Sequence, residues 1–293
     1  MKYENGMYLD ISNADYHSAE GISKSTLDKV AQGASQYLWS LSCPLATNPY
    51  TKALDIGTLV HCMLGEHDEF EKRYIVQPDF GDMRLKENKA QKQAWEEERA
   101  NSDLIVISQD EMNMANDIYA SCLAHPLASK YITDKNAIAE SSIFITDKET
   151  GLQLKVRPDI LLPHKQLIVD IKTTSDFNNF EKSIDLFRYD VQQAMYQEVV
   201  GKHYRVKFDF VFLVVRTKQN MGRYPVKVVK LAKSFLSKGK TIFRRDVERL
   251  KEIIDKGITD EYCIAELPFY YNPAMLKKEQ DEREIKQIQE LGF

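Results

Sequence analysis

The spacing of apolar residues along the chain changes from helical to strand-like and back. In the first 135 residues, apolar positions recur three or four residues apart, which is typical of amphipathic helices. Four helices are predicted there: one capped by Ser23 that runs through Leu27 and Val30, and others at Leu54–Leu64, Lys86–Arg99 and Gln109–Lys130. The segment Lys86–Arg99 is highly charged and has few apolar residues, so we expect an exposed helix or a mobile excursion.

After residue 136 the pattern becomes that of a sheet. Three short segments rich in β-branched residues are separated by the turn-like sequences DKETG and PHKQ: Ala137–Thr146, Leu152–Leu162 and Gln166–Thr174. Together they predict an antiparallel meander. Helical spacing returns at Asp185–Gly201, where Gly201 is the expected C-terminal stop.

Two further strands and two helices complete the pattern. The apolar run FDFVFLVVR at Phe208–Arg216 predicts a strand buried on both faces, and Pro225–Leu231 predicts another strand. A long basic helix is predicted at Ala232–Lys256 and an acidic amphipathic helix at Ala274–Leu291. This order of elements predicts an α/β fold in which a central mixed β-sheet is flanked by helices.

No internal repeat or low-complexity linker interrupts the 293 residues, so we expect a single domain. Its parts would be a mainly helical region at 1–135, the sheet with its helix at 136–231, and C-terminal helices at 232–293. A chain of this length can bury a substantial core.

Charge is distributed unevenly along the chain. The 44 acidic and 40 basic residues give a net charge of −4, which argues against a generic nucleic-acid coat protein. Residues 201–251, the basic block, nevertheless contain 15 Lys or Arg and 3 Asp or Glu, a net charge of +12. This block is either a solvated helix face or a surface for a polyanion, and its composition alone does not separate the two.

The cysteines give no sign of a disulfide framework or a zinc ribbon. Cys43, Cys62, Cys122 and Cys263 lie far apart and form no Cys-x-x-Cys pair. No apolar stretch approaches the ~20 residues of a membrane span, and the N-terminal sequence lacks an apolar signal region. We therefore expect a cytoplasmic protein with reduced thiols and no membrane partner.

Residues 154–174, LKVRPDILLPHKQLIVDIKTT, carry the strongest chemical signal. Asp159 closes one strand segment, and Asp170 and Lys172 lie two residues apart on the next, so their side chains project from one face. A carboxylate among apolar neighbours needs compensation, which a divalent cation held by two carboxylates and the Ile171 carbonyl would provide. The sequence thus predicts a Mg²⁺ site in which Mn²⁺ can substitute. The alternative is a surface hairpin where Asp170 and Lys172 form an ordinary salt bridge.

Two helices carry further candidate residues. Gln192 and Tyr196 stand four residues apart and therefore on one face of their predicted helix. His61 lies between apolar residues on its own predicted helix, where Gly57 would allow close approach of other backbone. The alternatives are a half-buried amphipathic helix for the first pair and a core histidine for His61.

Taken in order, four short motifs resemble those of the PD-(D/E)XK nuclease superfamily. They are Gly57-Thr58-Leu59-Val60-His61, Arg157-Pro158-Asp159, Asp170-Ile171-Lys172 and Gln192-x-x-x-Tyr196. The helix histidine and the Gln-x-x-x-Tyr motif are similar to those of the RecB-like exonuclease branch. Residues 8–39 also resemble the start of the exonuclease VIII (RecE) nuclease domain, and the resemblance extends from Tyr8 to the basic helix.

The resemblance implies a role for the motif residues. Asp159 and Asp170 would be metal ligands, together with the carbonyl of Ile171. His61 would be a further ligand, on the metal that faces the leaving group. Lys172 would orient or activate the attacking water and offset phosphate charge.

Three other residues take their roles from the same resemblance. Gln192 and Tyr196 would position the scissile strand or the lysine. Glu140, in the sequence AESSIF, resembles an acidic residue that supports the metal site in related exonucleases; the alternative is an exposed glutamate at a strand edge.

The resemblance also implies where DNA would bind. In lambda-type exonucleases a place similar to the helix start at Ser23, Lys24 and Ser25 holds the terminal 5′-phosphate, and an ordinary helix cap is the equal alternative. From the basic block, further contacts to the DNA backbone are expected at Arg216, Lys218 and Arg223, and Arg157 is expected to join them. No iron–sulfur cluster is expected, because such relatives use three closely spaced C-terminal cysteines and only Cys263 lies near this C-terminus.

The activity that the resemblance implies is exonucleolytic hydrolysis of linear double-stranded DNA in the 5′→3′ direction, with two metal ions, one that generates hydroxide and one that stabilises the leaving oxyanion. The product would be a 3′ single strand for a single-strand annealing recombinase. Family members close into ring-shaped oligomers, so a homo-oligomeric ring such as a tetramer is expected. The alternatives are an endonuclease or a CRISPR-adaptation nuclease on the same core, and a DNA-binding scaffold without catalysis.

Overall fold

The computed structural model describes residues 1–42 and 52–257. The acidic helix predicted at Ala274–Leu291 lies outside these residues, as do Cys43 and Cys263. The chain up to Asp255 forms one compact unit, and Lys256–Phe293 forms a second, of which the structure describes only two residues. The single-domain organisation of the whole chain therefore stays a prediction.

The N-terminal part of the described chain is mainly helical. In chain order its elements are β1 (Gly6–Tyr8), α1 (Asn13–Ser18), α2 (Lys24–Gln32), α3 (Ala34–Ser42), α4 (Lys52–Gly65), α5 (Phe70–Arg73), β2 (Tyr74–Val76), α6 (Lys86–Glu98), β3 (Ile105–Ile107), α7 (Gln109–Ala124) and α8 (Ala128–Ile132). The predicted cap is present, because the Ser23 hydroxyl accepts from the Thr26 amide and the Thr26 hydroxyl accepts from the Ser23 amide. The charged segment forms α6, a helix with no buried residue.

The prediction of one helix over Gln109–Lys130 is wrong, because Pro126 divides it. The helix α7 ends at Ala124, and His125 adopts an extended conformation with φ −84° and ψ 125°. A residue before proline is pushed out of the helical region by the proline ring. The chain then forms α8, whose start is capped by His125 Nδ1, an acceptor for the amide of Ala128 at 3.2 Å.

The rest of the described chain forms the sheet and its covering helices. Its elements are β4 (Ile138–Ala139), β5 (Ser142–Thr146), β6 (Gln153–Val156), β7 (Ile160–Leu162), β8 (Leu167–Thr174), α9 (Phe180–Leu186), α10 (Tyr189–Tyr204), β9 (Asp209–Arg216), β10 (Val226–Val229) and α11 (Lys233–Lys256). Five strands form the central sheet in the order β10-β9-β8-β7-β4. Strands β8 and β9 are parallel and the other pairs are antiparallel. The predicted α/β fold with a central mixed sheet between helices is therefore confirmed.

Strand β9 shows why both faces of this sheet are apolar. Alternate residues of a strand point to opposite faces. Phe210, Phe212 and Val214 pack with residues of α2, α9, α10 and α11, whereas Val211, Leu213 and Val215 pack with residues of α4 and α7. The strand predicted to be buried on both faces is thus the centre of a three-layered structure.

The predicted meander is wrong as a single sheet, because its strands are divided between two sheets. Strand β4 joins the central sheet, whereas β5 and β6 pair with β1 in a separate three-stranded sheet. The chain leaves the first sheet at Glu140, which has a left-handed φ of 47°, and returns through Arg157 and Pro158. Proline has no amide hydrogen to donate to a ladder, which favours a break in the strand. The two crossings lie side by side, since the Glu140 amide donates to the Asp159 carbonyl at 3.2 Å.

The helix predicted at Asp185–Gly201 is shifted towards the C-terminus. The helix α10 begins at Tyr189 and continues through Gly201 to Tyr204, so Gly201 is not its stop. Arg205, with φ 60°, ends the helix in the left-handed conformation. Gly201 instead permits a close approach, because a Cβ there would lie 3.0 Å from the Val206 carbonyl oxygen.

No helix in residues 1–42 or 52–257 combines the length and the apolarity needed to cross a bilayer.

Candidate active site

Asp170 and Lys172 lie on β8, and Asp159 lies beside them at the crossing before β7. The Ile171 amide donates to Asp159 Oδ2 at 2.5 Å, which joins the two strands at this point. In an extended strand the amide and carbonyl of one residue point towards the same edge. The Ile171 carbonyl therefore faces the side on which Asp159 lies, as a ligand of an ion held there would have to.

The buried carboxylate of Asp170 is held from two directions. Its Oδ1 accepts from Gln192 Nε2 at 2.6 Å, and its Oδ2 lies 2.5 Å from the Lys172 ammonium nitrogen. The same ammonium group lies 4.9 Å from the centre of the Tyr189 ring. Gln192 thus positions Asp170 directly, and it positions Lys172 indirectly through the ion pair between Asp170 and Lys172.

The electrostatics of the pair follow from burial and mutual attraction. Burial is the largest influence on the pKa of Asp170 and raises it to about 6, although Lys172 opposes the rise and Asp159 adds to it. Burial alone would lower the pKa of Lys172, but Asp170 and Asp159 hold that pKa above its ordinary value. Lys172 is therefore a firmly protonated ammonium group at neutral pH.

A cluster of His61, Glu140 and Asp159 forms next to this pair. One ligand atom from each of the three side chains lies within 4.8 Å of the others. His61 Nδ1 is 3.5 Å from Asp159 Oδ1. Burial would lower the pKa of His61, but Asp159 raises it above its ordinary value. Burial would raise the pKa of Asp159, but His61, Lys172 and the Ile171 amide hold it below its ordinary value.

Helix α4 brings His61 to the cluster through its packing on β8. A Cβ at Gly57 would lie 3.7 Å from Thr173 Oγ1, which is an ordinary contact with a side chain. The expected close approach of backbone at Gly57 is therefore wrong. The nearer backbone lies against Gly65, where a Cβ would be 3.5 Å from the Asp159 carbonyl oxygen.

Glu140 gives the best test of whether these residues fit a metal ion. Burial raises its pKa to about 8, and repulsion by Asp159 and Glu66 adds to the rise. This crowding of carboxylates is what a divalent cation relieves, and oxygen donors with one imidazole suit Mg²⁺, Mn²⁺ or Zn²⁺. The residues present therefore fit a divalent metal ion, with His61, Glu140 and Asp159 as its side-chain ligands.

Asp170 was predicted as the second ligand beside Asp159. The structure places it adjacent to the cluster, but Gln192 and Lys172 engage its two oxygens. Glu140, which was assigned from the resemblance, instead completes the compact set. A role for Asp170 as a metal ligand stays a prediction.

Tyr196 and Arg157 stabilise the strand crossing. The Tyr196 hydroxyl donates to the Arg157 carbonyl at 3.4 Å. The Arg157 side chain is 8% exposed, and its Nε donates to the Glu140 carbonyl at 2.9 Å while Nη2 donates to the carbonyl of Ile11. This guanidinium therefore holds the backbone of Glu140, and the predicted contact of Arg157 with DNA stays a prediction.

The start of α2 lies near Lys172. Ser23 and Ser25 have hydroxyl oxygens 2.8 Å apart, and Ser23 serves as the helix cap. Lys24 donates to the Phe187 carbonyl at 2.5 Å, and burial lowers its pKa with a contribution from repulsion by Lys172. The structure thus brings Lys24 into the electrostatic field of Lys172, while Ser23 fulfils the ordinary capping role.

The remaining predicted DNA contacts lie at one end of the central sheet. Arg216 ends β9 opposite Thr174, and its Nε donates to the Ser175 carbonyl at 3.1 Å. Lys218 and Arg223 are exposed on the connection from β9 to β10. The structure does not place these three in the cleft around His61, and their contact with DNA stays a prediction.

The basic block is only partly available to a polyanion. Asp147, whose side chain is fully buried, lies 2.9 Å from Arg244 and 3.1 Å from Lys202. Asp246, 1% exposed, pairs with Arg245 in the same block and with Arg188. Several positive charges of the block thus neutralise buried carboxylates within the fold.

Sequence reasoning missed three residues of the site. Tyr189 lies over the Lys172 ammonium group, and its position three residues before Gln192 on the same helix face is a signal that could have found it. Glu66 and Arg73 line a cleft of about 870 Å³ together with His61 and Glu140. Nothing in the local sequence marks Arg73, because only folding brings it to the cleft.

A mixed sheet with an aspartate at one strand crossing and Asp-x-Lys on the next strand, beside a carboxylate and imidazole cluster, is the arrangement expected of the PD-(D/E)XK superfamily. Residues 23–265 match the family described as PDDEXK-like domain of unknown function (DUF3799), and the chain belongs to this family. The membership confirms the predicted superfamily. No curated protein matches the sequence.

The solved structures that are similar to the chain include the following two. A Eubacterium rectale protein designated an exonuclease has a TM-score of 0.58 at 15% identity, over 86% of this chain and 89% of that one. A phage-related exonuclease from Haemophilus somnus 129PT has a TM-score of 0.30 at 12% identity, over 82% of this chain and 98% of that one. The first supports the fold, and the second superposes too poorly to carry an argument.

Proposed function

We propose that this nuclease is a Mg²⁺-dependent exodeoxyribonuclease that degrades linear double-stranded DNA in the 5′→3′ direction. The observation that carries the proposal is the His61, Glu140 and Asp159 cluster next to the buried pair of Asp170 and Lys172. Ligands for a cation and a protonated lysine side by side are what phosphodiester hydrolysis requires.

The residues divide the chemistry between them. A bound divalent cation would polarise the phosphate and lower the pKa of a bound water. His61, Glu140 and Asp159 would hold that cation. Lys172, kept protonated by Asp170 and the acidic surroundings, would orient the attacking water and offset the negative charge that develops on the phosphate.

The direction, the duplex substrate and the partners rest on the resemblance to the RecB-like exonucleases and to the exonuclease VIII domain. We infer a homo-oligomeric ring, such as a tetramer, that encloses the duplex in the cytoplasm and leaves a 3′ single strand for an annealing recombinase. The terminal 5′-phosphate would bind at Ser23, Lys24 and Ser25, and the nearness of Lys24 to Lys172 supports this place. Arg216, Lys218 and Arg223 would contact the backbone further along the duplex.

The deciding experiment is digestion of end-labelled linear duplex DNA in Mg²⁺, with EDTA as the metal-free control. We expect release of nucleotides from the 5′ end, faster from 5′-phosphate than from 5′-hydroxyl ends, and no attack on closed circular duplex. Cleavage of the circle would favour the endonuclease or CRISPR-adaptation alternative. Binding without cleavage under all conditions would favour the non-catalytic scaffold.

A pair of aspartate variants links the activity to the site. Asp170→Ala should abolish cleavage, because it removes the carboxylate that positions Lys172. Asp185→Ala is the matched control, since that side chain is 58% exposed and pairs only with surface Lys238. Parent-like cleavage by Asp170→Ala in Mg²⁺ would show that the catalytic assignment is wrong.

A further inference from the structure

Two arginines line the cleft around His61 and Glu140. The Arg157 side chain is 8% exposed and donates to backbone carbonyls, so its position is fixed by the fold. The Arg73 side chain, at the end of α5, is 46% exposed. Between these two guanidinium groups, Arg73 is the one that can reach a ligand in the cleft.

Arg73 is held by the Glu66 carboxylate, whose two oxygens bind the guanidinium in the way that two phosphate oxygens would. Its Nη1 lies 2.6 Å from Glu66 Oε2 and its Nη2 lies 2.6 Å from Glu66 Oε1, a bidentate pair. A phosphodiester offers two oxygens with a similar spacing, and arginine binds both groups in the same forked manner. Glu66 therefore keeps the guanidinium in the orientation in which it would bind a phosphate.

This pair lies within the electrostatic field of the metal cluster. Glu66 repels Glu140 and helps to raise its pKa, after the larger effects of burial and of Asp159. Glu66 directly follows the last residue of α4, and it lines the same cleft as His61 and Glu140. Because Arg73 lines the same cleft as His61 and Glu140, one DNA strand in that cleft would place phosphates on both Arg73 and the metal cluster.

We propose that Arg73 binds a backbone phosphate of the DNA strand next to the phosphate held by the metal cluster, and that Glu66 holds the Arg73 fork until DNA displaces it. The inference rests on the proposed function, because it assigns a second phosphate subsite to the same cleft. Arg73 is a positioning residue in this scheme, since it does not touch the reacting phosphate.

The proposal and a purely structural ion pair predict different effects for the two partners. If the ion pair only stabilises the packing of α5 against the end of α4, removing either side chain has the same effect on DNA affinity. If Arg73 binds phosphate, Glu66 competes with the DNA, so Arg73→Gln weakens DNA binding whereas Glu66→Gln leaves it unchanged or tightens it. The sign of the Glu66→Gln effect therefore separates the two explanations.

The test measures DNA affinity at several salt concentrations and saturating Mg²⁺, in the Asp170→Ala background so that the duplex stays intact. Each phosphate contact contributes about 0.9 to the slope of log affinity against log salt on duplex DNA. We expect Arg73→Gln to reduce this slope by about 0.9 and Glu66→Gln to retain it. Arg84→Gln is the matched control, because Arg84 is 91% exposed, pairs with Asp82 and lies outside the cleft lining.

Steady-state kinetics in the active protein provide the second measurement. Arg73→Gln should raise KM for linear duplex about tenfold with little change in kcat, and Arg73→Lys, which keeps the charge but not the fork, should restore part of the loss. A parent-like salt slope in Arg73→Gln, or equal losses of affinity in Arg73→Gln and Glu66→Gln, would overturn the proposal. If the parent does not cleave DNA at all, the proposed function fails, while the binding slopes still decide the role of Arg73.

Discussion

Gln192 offers a sharp test of how the buried acid is positioned. Its side-chain amide donates to Asp170 Oδ1 at 2.6 Å, and Asp170 is 1% exposed, so no bulk water can replace the lost donor. A hydrogen bond to a charged group contributes about 1.5–3 kcal/mol. Because 1.36 kcal/mol corresponds to a factor of ten in rate, Gln192→Ala should lower kcat roughly 10- to 150-fold.

The same helix supplies a matched control. Gln197 also donates through its Nε2 at 2.6 Å, but to the backbone carbonyl of Phe208, away from the cluster. Gln197→Ala therefore removes a side-chain hydrogen bond of the same length from α10 without touching the acid. We expect it to lower the thermal stability and to leave kcat unchanged.

The assay is single-turnover hydrolysis of linear duplex at saturating Mg²⁺, with thermal melting of each variant recorded in parallel. Single-turnover conditions report the chemical step rather than product release. The reasoning is refuted if Gln192→Ala retains the parent rate, or if Gln197→Ala loses as much rate as Gln192→Ala does. The first result would mean that Lys172 alone positions Asp170.

Three further predictions concern the metal, the packing and the pH dependence of stability. Mg²⁺ should raise the melting temperature of the parent, because the ion relieves the repulsion that raises the pKa of Glu140. Glu140→Gln should reduce this shift in melting temperature, whereas Glu149→Gln, at a side chain that is 70% exposed, should retain it. Differential scanning calorimetry with Mg²⁺ and with EDTA measures both shifts. Gly239→Ala should lower the free energy of urea unfolding by about 1–3 kcal/mol, because its Cβ would overlap the Asp190 carbonyl oxygen. Gly6→Ala, whose nearest contact would be at 3.7 Å, should have little effect, and equal midpoints for the two variants would contradict this. Burial would raise the pKa of Asp147, but Arg244, Thr150 and Lys202 lower it to about 2, so this group stabilises the fold fully above its unfolded pKa of 3.8 and loses that contribution as the pH falls towards 2. Denaturant titrations should show that Asp147→Asn flattens the fall in stability over this pH range, and an unchanged profile would show that other carboxylates control it.

The order of the elements and the identity of the chemical motifs could be predicted from local patterns. In the FDFVFLVVR run, residues 210–215 are all apolar, so both faces of the strand are apolar and both need a covering layer of helices. Ser23 caps its helix through contacts with a residue three positions away. Asp170 and Lys172 share a face because strand geometry places residues two apart on the same side. These features depend on neighbours in sequence.

The errors arose where a single residue overrides a pattern. Pro126 ended a helix whose spacing continued beyond it, and Arg205 rather than Gly201 stopped α10. The chain passes from one sheet to the other at Glu140 and at Pro158, within segments whose sequence predicts continuous strands. Backbone conformation at one position is not visible in the periodicity of its neighbours.

The sequence by itself determined the fold class, the superfamily motifs and most of the acidic and basic groups of the site. Only the tertiary structure decided that Glu140 joins His61 and Asp159 while Lys172 and Gln192 engage Asp170. It also decided that Arg157 donates to the Glu140 carbonyl and that Arg73 lines the cleft. The physical reason is that a cation site and a phosphate site require groups brought within a few ångströms from distant segments, and those distances are fixed by packing rather than by spacing along the chain.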